Sequence, residues 1–215
     1  MSSDVISPEV QNRRQQIAEV AARAFSRQGY GSASIRDIAA EVGFTPAAVY
    51  HHFRNKEEIL YEVISGFTED LLRMLRAEFA AAADPVSGLR NALRQHILLL
   101  ETRQAETRLV IDEKKHLSAP RQKRIAQRER EVYTLYRDAV QGIIDSGLGR
   151  PLDAAVVTFA LFGIVNFFYH WFRPGGALTL RQAAEQSIAL ILDGLLLDAA
   201  GSVPRPRPAN RKRTR

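Results

Sequence analysis

Almost every segment of this chain repeats apolar residues at three- and four-residue intervals. No segment alternates β-branched residues or carries an Asn-Gly or Asp-Gly hairpin turn. A helix returns to the same face every 3.6 residues, so the pattern predicts an all-α fold. With 215 residues, 46% of them hydrophobic, there is material for a sizeable core.

The breaks divide the chain into nine helices. The first runs from about Pro8 to Gln28, with Ile17, Val20, Ala21, Ala24 and Phe25 as its stripe and Gly29 as its stop. Ser34, with Asp37 three residues on, caps a short second helix that Gly43 closes. Thr45 caps a third, barely two turns long, with Pro46 at its first position, where the missing N–H costs nothing. Asn55 caps a fourth that continues to about Ala83, where Asp84-Pro85 breaks it. Five more follow, at about 86–103, 105–117, 120–146, 152–172 and 179–199.

A two-turn helix is not stable alone and must be pinned by packing. Val49 and Phe53 supply the pin, facing Ile38 and Val42 of the preceding helix. Pro46, Ala47, Tyr50 and His51 then face outward. Helix, glycine turn and short helix make a helix-turn-helix, whose second helix fits the major groove with its N-terminal residues against base edges. Tyr50 and His51 are candidate DNA contacts, and Lys56 adds charge where the fourth helix begins. Ser34, Arg36 and Thr45 are further candidates, with a solvated surface as the alternative for each. Adjacent helical residues diverge by about 100°, so His51 and His52 cannot share a metal, and no third ligand lies nearby. His52 reads as a partly buried packing residue.

The net charge of +6 belongs to one end. Six of the 30 basic residues lie between Arg205 and Arg215, leaving 24 against 24 acids. That Pro/Arg tail, 201–215, is expected to be disordered, either as a solubilising end or as a nonspecific nucleic-acid contact. Residues 1–60 hold seven basic and seven acidic side chains, so DNA affinity has to come from placed contacts. The absence of cysteine excludes thiolate chemistry and fits a reducing cytoplasm, and the N-terminus lacks the apolar core of a signal peptide. No GxSxG, HExxH or dinucleotide loop is present, so no enzyme, cofactor or metal is expected.

The stretch SIRDIAAEVGFTPAAVYHHFRNKEEILYEVI, within residues 13–64, resembles the DNA-binding signature of the TetR family of bacterial regulators, down to its Tyr-x-His-Phe-x-Asn-Lys-Glu-Glu run. The resemblance implies homodimers: an N-terminal three-helix domain, 1–60, binds operator DNA, and a helical domain, 61–200, binds a small ligand and dimerises. It also implies that the last two helices pair with their symmetry mates in a four-helix bundle.

Leu152–Phe172 is apolar all round, which predicts burial on every side. It is too interrupted, by Thr158, Asn166 and His170, for a convincing membrane span. Residues 114–130 carry seven basic side chains against Glu129. They read either as a solvated face or as an anion site at the mouth of an apolar pocket. The second reading selects Lys114, Lys115, Arg121 and Arg124 as anion ligands, with Phe162, Asn166, Tyr169 and His170 as the pocket side. HWFRPGGALTLRQAAEQ and VIDEKKHLSAPRQKRI resemble TetR-family regulators that sense CoA thioesters of lipid, steroid or aromatic-acid catabolism. The expected effector is an acyl-CoA thioester; the alternative is a hydrophobic drug or cation.

Overall fold

The computed structural model describes residues 8–197, so the basic tail lies outside the described residues. Those residues are helical, with no strand among them beyond one isolated bridge between Gly149 and Leu196. The helices are α1 (Pro8–Gln28), α2 (Ile35–Val42), α3 (Pro46–His52), α4 (Lys56–Ala81), α5 (Pro85–Leu98), α6 (Gln104–Arg108), α7 (Ala119–Asp145), α8 (Ala154–Trp171) and α9 (Leu180–Leu195).

Caps set most of these boundaries. The Ser34 hydroxyl accepts the Asp37 N–H (3.2 Å), while the Asp37 carboxylate accepts the Ser34 N–H (3.0 Å). Gly43 closes α2 at φ +81°, a left-handed conformation that a side chain would strain. Thr45 and Asn55 cap α3 and α4, and Asp84 caps α5. Asp84 with Ser87 at α5, and Thr179 with Gln182 at α9, form two more reciprocal boxes.

Two apolar cores share α4. The N-terminal one joins Ile17, Phe25, Ile38, Val49 and Phe53 to Ile59, Leu60 and Ile64. The C-terminal one begins at Phe67, just past Ile64 and Ser65, and gathers α5, α7, α8 and α9 around Leu75, Leu93 and Tyr136. Because α4 enters both, the two parts are joined by a continuous helix rather than a linker.

The stretch expected as one helix over 105–117 is broken into three. After α6 come a π-helical turn, Leu109–Glu113, and a 3-10 turn, Lys114–His116. The wider and then tighter turns change the angular register of the side chains. Leu109 and Leu117 thereby enter the N-terminal core, while Val110, Ile111 and Lys114 border a cavity in the C-terminal part. Helix α5 also ends earlier than its periodicity suggests, in a 3-10 turn over Leu99–Glu101. Helix α9 stops at Leu195, pinned by hydrogen bonds from Arg150 N–H to Leu195 C=O (2.8 Å) and from Leu197 N–H to Leu148 C=O (2.9 Å).

In the single chain, helix α8 is buried on one side. Leu161, Val165 and Phe168 are buried, but Val156, Phe159, Phe167 and Trp171 are each more than half exposed in the single chain. The α9 stripe of Ala184, Ile188, Leu192 and Leu195 packs into the chain's own core, which leaves Leu190, 72% exposed, on the open side. By length and composition α8 is apolar enough to cross a membrane, as a core helix also can be.

Candidate functional site

Helix α3 presents two chemically distinct sides. Val49 and Phe53 are fully buried, and the Arg14 guanidinium lies 4.2 Å from the Phe53 ring centroid. Arg14 also donates to the His52 carbonyl and pairs with Glu62 at 2.8 Å, locking the C-terminal end of α3 to α1 and α4. Pro46, Ala47, Tyr50 and His51 are exposed on the other side. The small residues at the start of the helix allow close approach to a groove, and Tyr50 offers a hydroxyl. His52 is half-buried, with its Nδ1 lacking a partner among the described residues, and burial holds its pKa below the usual value. No three His, Asp or Glu side chains converge as metal ligands among the described residues.

The remaining DNA candidates divide. Arg36 is exposed and forms no ion pair with described residues, so its guanidinium is available to a phosphate. Thr45 uses its oxygen to accept the Ala48 N–H (3.1 Å) and keeps its own proton to donate. The Ser34 hydroxyl is engaged with Asp37 on both sides. Lys56 does not project outward as expected. Its ammonium donates to the carbonyls of Tyr30 (2.6 Å), Ala33 (2.9 Å) and Gly31 (3.3 Å) and lies over the Tyr30 ring. The turn after α1 leaves these carbonyls open, and three donors on one ammonium satisfy them. Arg54, exposed beside the start of α4, is a candidate that the sequence pattern did not single out; its place in the loop just before the Asn55 cap was the available signal.

A cavity of about 320 Å³ lies between α4, α5, α7, α8 and the 107–114 segment. Phe67, Leu71, Val110, Ile111, Val132 and Phe162 make its wall largely apolar. Its polar groups are few: Thr68, Thr107, His96, Asn166 and the Lys114–Glu129 pair, which is 2.6 Å apart. The Thr68 and Thr107 hydroxyls donate to carbonyls of their own helical turns. His96 Nδ1 lies 3.2 Å from the Tyr136 hydroxyl. Burial pushes the His96 pKa down to about 4, so the ring is neutral at physiological pH and its Nε2 remains for a ligand. His96 was not anticipated, although it interrupts the apolar α5 stripe of Leu89, Ala92 and Leu93 one turn further on.

Of the eight residues expected around a ligand, Lys114, Phe162 and Asn166 meet at this cavity. The other five lie elsewhere, each for a visible reason. Arg121 pairs with Glu57 (3.1 Å) and lies over Tyr61, tying α7 to the start of α4. The Tyr169 hydroxyl donates to Asp112 (2.8 Å), and burial raises its pKa. Lys115, Arg124 and His170 are exposed. A larger hollow of about 750 Å³ between α1, α4 and residues 100–106 is open and lined mainly by polar side chains, among them Arg103 bound to Glu106 and Asp70.

The two sides of α3 make opposite predictions. Tyr50→Ala lowers operator affinity about tenfold or more, through removal of one hydrogen bond in each half-site, and leaves unfolding free energy within about 0.5 kcal/mol. Phe53→Ala costs about 3–5 kcal/mol of stability. Fluorescence anisotropy and urea unfolding check the pair, and a destabilised Tyr50→Ala protein contradicts this assignment of faces.

Comparison with known proteins places the architecture. Residues 17–63 match the family model for bacterial regulatory proteins of the tetR family, and residues 82–195 match the tetracyclin repressor-like C-terminal domain. The HTH-type transcriptional repressor KstR2 of Mycobacterium tuberculosis H37Rv is 30% identical over 194 residues, covering 89% of this chain and 97% of that protein. The structure of the ketosteroid transcriptional regulator KstR2 from M. tuberculosis superposes with a TM-score of 0.80 at 30% identity, over 86% of this chain and 96% of that one. The structure of AibR in complex with isovaleryl coenzyme A and operator DNA gives a TM-score of 0.78 at 30% identity, over 83% and 97%. A buried pin under an exposed reading helix, and both family models in order along the chain, lead to one conclusion: the protein belongs to the TetR family of ligand-responsive, DNA-binding transcriptional repressors, and it is not an enzyme.

Proposed function

We infer that the protein is a homodimeric repressor, working in the cytoplasm, that leaves its operator when the acyl end of a CoA thioester enters the cavity. The observation that carries this reading is the composition of the cavity wall. An apolar chamber of about 320 Å³ suits an acyl chain, and one cation, Lys114, stands on its border. The neutral His96 ring supplies a polar atom inside for a carbonyl. A diphosphate nucleotide is too strongly charged to be buried there, so it stays outside, where Lys114 can exchange Glu129 for an anionic oxygen. The relative AibR binds isovaleryl coenzyme A, and the relative KstR2 is a ketosteroid regulator, which supports a catabolic thioester.

A drug or cation sensor is the competing reading. It needs a free carboxylate in the cavity wall. Glu129 is the one acid there among the described residues, and Lys114 neutralises it.

The route from cavity to DNA is the 107–118 segment. Thr107, Val110, Ile111 and Lys114 touch the cavity, while Leu109 and Leu117 are buried in the DNA-binding core. The His116 ring stacks on Tyr30 at 5.0 Å, and Arg108 donates to the Ser26 carbonyl (2.9 Å). A ligand that displaces one side of this segment moves the other, because packed cores are not freely deformable. Dimerisation is supported by the open apolar side of α8 and α9, Phe159, Phe167, Trp171 and Leu190, which fits a self-complementary two-fold interface.

Two measurements test these assignments. Anisotropy on DNA upstream of the protein's own gene, at fixed salt, is expected to show binding that one acyl-CoA abolishes and its free acid does not. Lys114→Gln raises the thioester concentration for half release about tenfold or more, as expected for a charge-assisted hydrogen bond, without changing ligand-free DNA affinity. Indifference to every thioester, or release by hydrophobic cations, refutes the CoA assignment. Sedimentation equilibrium is expected to show a dimer that Leu190→Glu converts to monomer; a monomeric parent protein refutes the dimer.

A further inference from the structure

The seven cations of residues 114–130 divide in the folded chain. Three of them are engaged inside the molecule: Lys114 with Glu129, Arg121 with Glu57, and Arg128 with Ser65 and Glu69. The acids of the same region are engaged too. Asp112 accepts the Tyr169 hydroxyl, Glu113 pairs with His116 at 3.1 Å, and Glu129 holds Lys114. Lys115, Lys123 and Arg124 are exposed and form no ion pair with described residues. Arg130, also exposed, lies further along α7. None of the first three has a carboxylate within ion-pair distance among the described residues.

Their position follows from the contacts of α7. Glu57 meets Arg121, Ser65 meets Arg128 and Phe79 meets Tyr136, so α4 and α7 run parallel, with their N-termini side by side. The Ser118 N–H, just before α7, donates to Glu57 at the second residue of α4 (2.8 Å). Lys115 adjoins His116, whose ring stacks on Tyr30 in the loop leading to α2. Lys56 fastens that loop to the start of α4. The three unpaired cations therefore sit at the end of the molecule that carries the helix-turn-helix.

We propose that Lys115, Lys123 and Arg124 form a second DNA-contacting surface, outside the helix-turn-helix, that binds backbone phosphates of operator DNA without reading its bases. Charge complementarity selects the partner, since duplex DNA carries one negative charge per about 1.7 Å of axis. Their place at the end of the molecule that carries the helix-turn-helix gives the geometry. The need is visible in the first 60 residues, where seven basic side chains face seven acidic ones and supply no bulk attraction. This surface rests on DNA binding by the family, not on the identity of the effector.

The test uses the full chain, a fluorescent operator duplex and a scrambled duplex of equal length, from about 50 to 200 mM salt. The variant is Lys115→Gln, Lys123→Gln and Arg124→Gln together. Its slope of log affinity against log salt is expected to be shallower by about 0.9 for every phosphate that is no longer neutralised. Affinity falls in equal proportion on both duplexes, because binding to phosphate carries no sequence information. Lys115→Arg with Lys123→Arg keeps the parent slope. Lys123→Gln alone, at an exposed helical site, gives a smaller shift of the same sign should the triple variant fold poorly. An unchanged slope in the folded variants overturns the proposal. So does an unchanged slope with an altered acyl-CoA response, which assigns these cations to the anionic end of the effector instead.

Discussion

Leu109 and Leu117 are buried in the N-terminal core, although the chain around them lines the cavity of the C-terminal part. The rest of the structure depends on this crossing. A straight helix over 105–117 turns each residue about 100° past the last and offers one apolar stripe to one core. The π turn and the 3-10 turn break that rule, so one short segment serves two cores at once. Around it, Arg108, Ser118 and Arg121 each make a polar contact with the N-terminal part, and the His116 ring stacks on Tyr30. The DNA-binding domain is held against the ligand domain by this segment and by α4.

The division of labour among the polar residues follows from burial. Lys56 and Arg121 look like phosphate or anion ligands in the sequence, but each satisfies acceptors that folding leaves open. A cation that meets these acceptors replaces the water they would otherwise bind, which contributes modestly at partly exposed positions. Arg36 and Arg54 near α3, and Lys115, Lys123 and Arg124 toward the same end of the molecule, remain exposed and without an ion pair among the described residues, so they stay available to a phosphate. The cavity shows the same pattern: one ion pair, one neutral imidazole and few other polar groups in an apolar wall.

The N-terminal fold was legible in the sequence because its signals are local. Ser34, Gly43, Thr45 and Asn55 are caps and stops whose chemistry acts within four residues, and the structure places each as expected. Val49 and Phe53 were legible because a two-turn helix needs a buried side. The cavity was less so. Phe162, Asn166 and Lys114 were anticipated, but His96 was hidden on α5, far from the basic stretch. Tyr169 lies one turn from Asn166 on the same helix, yet it turns to Asp112, a tertiary partner 57 residues away that no local pattern reveals. The break at Leu109 was illegible for the same reason: Gln104 to His116 contains no glycine or proline, and two competing cores decide its register. The open side of α8 could not be told from a buried one, because an apolar surface awaiting a partner and an apolar core have the same composition.

We assign the signal between cavity and DNA to the 107–118 segment. Amide hydrogen exchange on the protein, with and without an acyl-CoA found to release it from DNA, tests this assignment. Ligand is expected to change protection in 107–118 together with the Tyr30–Ala33 loop and the start of α4. Release of DNA with changes confined to the cavity walls of α5 and α8, and none in 107–118 or at Tyr30–Ala33, would contradict it.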